Sequence, residues 1–515
     1  MPRRSVAATL VSNSRWNFIA FGVSVVANFV AIPVAIAAIG LNAFGAASLV
    51  LAIYAPFSLV GTVIGQALVR ELSPRIAAGD RDGCIGIISA AIALGATGCL
   101  FVILIVPIIG VPIMGTIVGP SGVKGSWLVA LFICGIGWIA QQGCFILQAV
   151  LASTQNYGRL AFVGSIAAIA SATSIALWAR VWPETPGFLL GTATGFCLSF
   201  VLLVVLLIRE LPWLKSLRRF TFTEFRSLVE FGKWQGAASF AGALGNQADR
   251  YVLGILSPLA TVGAFNVAMR LQEVVYMGVL KIAEVLYPHF SITNSQPMKQ
   301  RATFFVRASW LMNMVAVTAL APLIPLADSL VTLWVGADAA SAASPILRTL
   351  ATAAVIGSGA NVYVYFAMAS TESPRAAILT IAHSAFLAVS TVVLIGLLGP
   401  VAAGAGYVLA NLLRLLIVTQ LSSRYFVSAI RPKELIASTL PPLAGGLLAS
   451  WLISIMPLPS ASDWFRLAFT YMMTGVVICF AAVLVTSLSG TGRRLVQDTY
   501  AMGGRIITNK RRDGK

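Results

Sequence analysis

Charge is what this sequence of 515 residues has little of: Asp, Glu, Lys and Arg together make up 10% of it. A water-soluble fold of that length presents about a quarter of its residues as charges, so water is excluded as the main solvent. Histidine occurs twice, and the six cysteines (Cys84, Cys99, Cys134, Cys144, Cys197 and Cys479) sit in or beside apolar segments without paired spacing. These counts argue against a disulfide framework and a Cys/His zinc site, and they leave the thiols as reduced packing residues. Neither G-x-x-x-x-G-K-[ST] nor H-E-x-x-H occurs, so nothing in the sequence supports ATP hydrolysis or zinc chemistry. Asp80, Arg81 and Asp82 spell a D-x-D. On a short polar turn with no nucleotide-binding domain around it, that triplet reads as a solvated loop. No metal and no cofactor are expected.

What is abundant is apolar: 58% of the residues, with a mean hydropathy of +0.90. Hydrophobic runs of about twenty residues, the length a helix needs to cross a hydrocarbon layer of roughly 30 Å, recur from Trp16 to Leu488. The expected fold is an all-α integral membrane protein with about fourteen spans: 17–39, 44–68, 85–109, 127–152, 160–180, 187–208, 231–256, 263–288, 303–327, 345–368, 376–397, 402–422, 435–455 and 466–488. The first runs straight out of a basic segment, Met1 to Arg15, with no small-residue cleavage site, so no cleavable signal is expected.

The formal net charge is +18, but the basic residues fall in the breaks between spans and form no aromatic-interleaved patch. Their expected partner is the membrane surface, not nucleic acid. With Met1 inside, 27 of the 35 Lys and Arg are cytoplasmic, and only Lys124, Arg180 and Arg466 lie in or beside outer loops. This places both ends in the cytoplasm and favours an even number of crossings.

A shift of 218 positions lays Trp16 on Trp234, Asn28 on Asn246, Gly45 on Gly263 and Ala46 on Ala264, and aligns the turn between spans 1 and 2 with that between spans 7 and 8. A duplicated six-helix unit has this signature. The expected organisation is an N-terminal lobe over 1–208, a basic and aromatic interfacial linker helix over 209–230, a second lobe over 231–425, two further helices over 426–488 and a basic tail over 489–515.

Eight ionisable side chains fall inside spans: Asp249, Arg250, Arg270, Glu273, Lys281, Glu284, Arg348 and Arg414. Left in lipid they would cost on the order of 20 kcal/mol, so they are expected to face a wet cavity or one another. At about 100° per residue, Arg270, Glu273, Lys281 and Glu284 share an arc of about 80° on one helix. Asp249, Arg250 and Asn246 fall at a similar depth on the preceding span, and Asn17, Ser24 and Asn28 form a milder stripe on span 1. The basic residues Arg250, Arg270, Lys281 and Arg414 with Asn17, Asn28 and Asn246 are candidates to bind an anionic substrate such as a phosphate. The acids Asp249, Glu273 and Glu284 are candidates for ion coupling. The plainer reading makes Arg270–Glu273 and Lys281–Glu284 structural ion pairs. His383, alone in its span, reads as a satisfied core histidine.

These residues bring a family into view. Arg15-Trp16-Asn17 before the first span, Phe44-Gly45 after the outer turn and Leu68 to Glu71, followed by F-G-K-W (Phe231 to Trp234), N-Q-A-D-R-Y-V-L-G (Asn246 to Gly254), V-G-A-F-N-V-A (Val262 to Ala268) and Y-P-H-F-S (Tyr287 to Ser291), resemble the polysaccharide transporter family of the multidrug/oligosaccharidyl-lipid/polysaccharide flippase superfamily. The resemblance runs over about residues 14 to 425. It implies two six-helix bundles around a cavity with two helices appended, in a bacterial inner membrane. It also implies a non-enzymatic flippase that moves an undecaprenyl-pyrophosphate-linked oligosaccharide to the periplasmic leaflet for O-antigen, exopolysaccharide or capsule assembly. Arg250 and Arg270 would be the pyrophosphate-binding residues, and a polysaccharide polymerase and export machinery the partners. The rival readings are a drug or small-molecule exporter of the same superfamily, which prefers an acidic cavity, a membrane-embedded polysaccharide-modifying enzyme, and a scaffold without transport.

Overall fold

The computed structural model describes residues 6–118, 126–154, 157–213, 221–245, 247–284, 286–293, 296–370, 373–456 and 463–498. Within them the chain is helical throughout, with no strand, and it divides into two compact units, Met1–Gly263 and Ala264–Lys515. The first unit holds α1 (Val6–Tyr54), α2 (Leu59–Ala78), α3 (Arg81–Val118), α4 (Ser126–Ser153), α5 (Tyr157–Val181), α6 (Thr185–Glu210), α7 (Phe222–Gly245), α8 (Ala248–Leu256) and the first turn of α9 (Leu259–Ala283). The second holds the rest of α9, α10 (Leu286–Thr293), α11 (Met298–Leu320), α12 (Ala327–Val335), α13 (Ala337–Ser358), α14 (Asn361–Met368), α15 (Ser373–Leu398), α16 (Ala403–Tyr425), α17 (Pro432–Ile455) and α18 (Trp464–Ser487).

Eleven of the described helical segments are long and apolar enough to cross a membrane, which makes this a multi-pass membrane protein. One of the eleven, Ile19–Ala78, is 60 residues long. At 1.5 Å per residue it would run about three membrane thicknesses if straight. It is broken at Gly40, whose φ of 78° and ψ of 163° no helix accommodates. The fourteen crossings expected from the sequence exceed this count where helices are polar or interrupted. Thus α9 carries Arg270, Gln272, Glu273 and Lys281 and is not among the eleven. The expected single span 231–256 is also corrected: α7 ends at Gly245 and α8 starts at Ala248, so the run is two helices. A hydrophobic count sees continuity there because it averages hydropathy over the run and does not register where a helix ends.

In the first unit α4 packs on α6 and α2, and α5 packs on α6 and α1, around Leu68, Leu72, Ile87, Leu203 and Leu228. Of the expected linker over 209–230, residues 214–220 lie outside the described residues, and α7 takes up 222–230. A capping box starts α7: Thr221 donates its backbone N–H to Glu224 Oε2 at 2.8 Å, and Thr221 Oγ1 accepts from the Glu224 N–H at 3.4 Å. Glu224 also lies 3.7 Å from Arg75 on α2, and its carboxylate covers Gly86 on α3. These contacts dock the start of α7 on the first unit.

In the second unit α11 packs on α17 and α18, and α13 and α15 pack on α16. An aromatic cluster of Phe290, Phe305, Phe366, Tyr425 and Phe426 fills one part of its core. Arg301 lies over the Phe366 and Tyr425 rings and donates to Tyr425 Oη at 2.9 Å.

Two glycines that the 218-residue shift aligns lie against backbone. A Cβ added to Gly45 would collide with the Leu259 carbonyl oxygen, and one added to Gly263 would lie 2.5 Å from the Leu41 carbonyl oxygen. The 218-residue shift maps Gly45 on Gly263 and Leu41 on Leu259, so the two contacts are reciprocal. All four residues belong to the first unit.

Candidate functional site

The expected site residues separate into three groups. The first is on α8. Asp249 is 2% exposed, lies 3.7 Å from the Arg250 guanidinium, and its Oδ1 accepts the Arg250 N–H at 2.7 Å. Arg250 Nη1 donates to Gln247 Oε1 at 2.8 Å, and the Tyr251 hydroxyl donates to the Ala52 carbonyl at 2.7 Å, which holds α8 against α1. A buried carboxylate thus has its counter-ion on the next residue, and the pair carries no net charge.

The second group is the face of α9. Arg270 and Glu273 are 3.6 Å apart, and Lys281 Nζ donates to Glu284 at 3.0 Å. Leu271, Gln272, Val279 and Ala283 between them are buried, whereas all four charged side chains are at least 39% exposed. The single charged face read from helical periodicity is therefore present, and so are the two i,i+3 pairs of the plainer reading.

The third is Arg414, at the middle of α16, a helix of membrane-crossing length. Arg414 Nε is fully shielded and, among the described residues, the side chain makes neither hydrogen bond nor ion pair. Tyr276 on α9 and His383 on α15 lie within Coulombic reach of it. His383 is satisfied, with Nε2 3.1 Å from Asn411 Oδ1, while Asn411 Nδ2 donates to the Ala353 carbonyl at 3.0 Å. Arg348 meets Asp328 at 2.5 Å, an acid just beyond its expected span. Of the five basic residues expected within spans, Arg414 is thus the one without a carboxylate among the described residues.

Asn28 is exposed and donates to the Ser24 carbonyl of its own helix at 2.8 Å. Asn246 lies outside the described residues, and so does the side chain of Asn17. Asp80 serves the α2–α3 turn by accepting the Gly83 N–H at 2.9 Å, in keeping with a loop role for the D-x-D.

Sequence reasoning missed Asn361 and Tyr276. The Tyr276 hydroxyl donates to Asn361 Oδ1 at 3.1 Å, and Asn361 Nδ2 is buried with no partner among the described residues. An Asn opening a short helix and a Tyr inside a long one carry no periodic signal. It also missed a cavity of about 440 Å³ in the first unit, lined by Pro56, Leu59, Val60, Phe101, Leu228 and Phe240 among others. With almost no polar surface, it suits hydrocarbon and not sugar.

Comparison with known proteins places this geometry. Residues 148–344 match the family described as "Polysaccharide biosynthesis protein". No curated protein matches the chain. Among solved structures, the lipid II flippase MurJ in an inward closed conformation is similar with a TM-score of 0.66 at 13% identity, over 93% of this chain and 98% of that one. An inward-facing multidrug resistance MATE family transporter of the MOP superfamily is similar with a TM-score of 0.66 at 14% identity, over 79% and 95%. A MOP superfamily transporter from Pyrococcus furiosus, described by the reverse polarity of its binding pocket, has a TM-score of 0.55 at 14% identity, over 82% and 96%. At such identities the likeness shows the fold. That fold, with the polysaccharide-biosynthesis match inside it, bears out the resemblance read from the sequence to the polysaccharide flippases of this superfamily.

Proposed function

We propose that the protein is a flippase that carries a polyprenyl-pyrophosphate-linked oligosaccharide from the cytoplasmic to the periplasmic leaflet of a bacterial inner membrane, with its two halves exposing the substrate alternately to each side. The observation that carries this reading is the polysaccharide-biosynthesis match over 148–344 within a MurJ-like and MATE-like fold. The charged face of α9 supports it, because Arg270 and Lys281 can exchange their carboxylate partners for phosphate oxygens, which guanidinium holds in bidentate fashion. Following the resemblance, Arg250 on α8 is also assigned to pyrophosphate. The freed acids Glu273 and Glu284 then take up a proton or sodium ion, which couples substrate arrival to ion binding, and Asp249 is the third candidate for that role. The polyprenyl tail stays in the apolar phase.

In a strain lacking the protein, the wild type restores surface polymer, whereas Arg270→Ala and Arg250→Ala reach the membrane at wild-type levels and leave lipid-linked oligosaccharide in the inner leaflet. Normal export by both variants overturns their role. The MATE-like fold favours one rival, a drug exporter. That rival gains if deletion leaves the polymer intact and abolishes resistance to a cationic compound.

A further inference from the structure

The apolar cavity of the first unit lies at the depth of lipid chains. It is enclosed by α7 and by α2 and α3, on which α7 packs and which belong to membrane-crossing segments. The start of α7 is level with the polar α2–α3 turn, because Glu224 meets Arg75 and lies against Gly86. From Leu228 to Phe240 the α7 part of the lining runs about 18 Å along the helix axis, close to the roughly 15 Å of hydrocarbon in one leaflet. Thr97 has the one polar side chain in the described lining, and its hydroxyl donates to the Ala93 carbonyl of its own helix at 2.9 Å. A water molecule inside would lack the several polar partners it needs. Phe101 and Val229, both in the lining, are 57% and 37% exposed, and Leu100 and Leu104 beside Phe101 are exposed as well. The cavity thus opens onto a surface made for acyl chains. Arg226, one turn before Val229 on the same side of α7, is 67% exposed, and its Nε donates to Glu230 at 2.8 Å. An exposed pair of this kind yields its guanidinium to a phosphate at little cost.

We infer that this cavity is a binding site for one acyl chain of a membrane glycerophospholipid, with the lipid phosphate at Arg226 and the chain running past Val229 and Gly236 to Phe240. Gly236 keeps the passage open, since a Cβ there would meet Val63 Cγ1 only at 3.9 Å. A polyprenyl tail is several times longer than the cavity and would overrun it. The lining lies within the first unit, and the site does not depend on which substrate the protein moves.

The test places the full-length protein in nanodiscs of phosphatidylethanolamine and phosphatidylglycerol, doped with a phospholipid that carries a diazirine near the end of one acyl chain. After illumination the labelled residues are mapped by mass spectrometry. Lipids that merely surround the protein reach the exposed Leu100 and Leu104, whereas Leu228, 1% exposed, and Val63, 8% exposed, are reached from inside the cavity. The wild type is expected to carry both outer and inner labels. Gly236→Leu, which fills the passage, should lose the inner labels and keep the outer ones. Val229→Trp narrows the mouth from an exposed position and should do the same, which covers the case in which Gly236→Leu does not fold. Arg226→Ala should lower inner labelling about fivefold, because the phosphate loses a charged partner. Absence of inner labels in the wild type, or inner labels that persist at wild-type levels in both cavity variants, overturns the site. Loss of the inner labels on adding unlabelled polyprenyl phosphate, where the same amount of unlabelled phosphatidylglycerol leaves them, overturns the phospholipid as its occupant.

Discussion

At the scale of single residues, ion pairs of similar length differ in worth because their surroundings differ. Asp249–Arg250 at 3.7 Å is buried, whereas Lys281–Glu284 at 3.0 Å is 39% and 50% exposed. Removing one partner of a buried pair strands the other charge and costs on the order of 3 kcal/mol, while an exposed pair in water contributes less than about 1 kcal/mol. Asp249→Asn should therefore lower the melting temperature of the solubilised protein clearly, and Lys281→Ala hardly at all. In the membrane the second variant also tests whether the α9 face is wet. Against acyl chains, Lys281→Ala would leave Glu284 uncompensated at several kcal/mol and deplete the protein from the membrane. Wild-type membrane levels are expected. The arc on α9 was legible because a helix has a fixed 100° step. The pairing of Arg348 was not, because only packing shows that Asp328 serves it.

At the scale of elements, glycine separates contact from tolerance. Gly45 and Gly263 sit against backbone, which cannot rotate away, so Gly45→Ala or Gly263→Ala should destabilise by about 2 kcal/mol. Gly278, within α9, has open space where a Cβ would go, and Gly278→Ala should be neutral or raise the melting temperature through helix propensity. Equal losses at all three positions would show that the glycines matter for another reason. The sequence shift of 218 aligned Gly45 with Gly263 but gave no hint that the matched turns touch. Likewise α7 and α8 read as one span, because an apolar run does not register where one helix ends and the next begins.

At the scale of the whole molecule, topology follows from where positive charge is retained. With 27 of 35 basic residues on one side in the expected arrangement, alkaline phosphatase fused in the α5–α6 turn near Glu184 should be active, and fused at the C-terminus it should be inactive, with a fluorescent-protein fusion reporting the reverse. Activity at both points would indicate an even number of crossings after α5, where nine are expected. Fusions on either side of α7–α8 and of α9 also decide whether these polar stretches cross the membrane, and so whether the count rises from eleven towards fourteen.

The sequence alone determined the solvent, the helical fold and the charged face of α9, because each depends on composition or on a fixed helical period. Tertiary structure decided which charges find partners, where the apolar cavity of the first unit lies, and that Asn361 Nδ2 and Arg414 Nε have no acceptor among the described residues. Those outcomes depend on distances between residues far apart in the chain, and no local pattern of side chains encodes them.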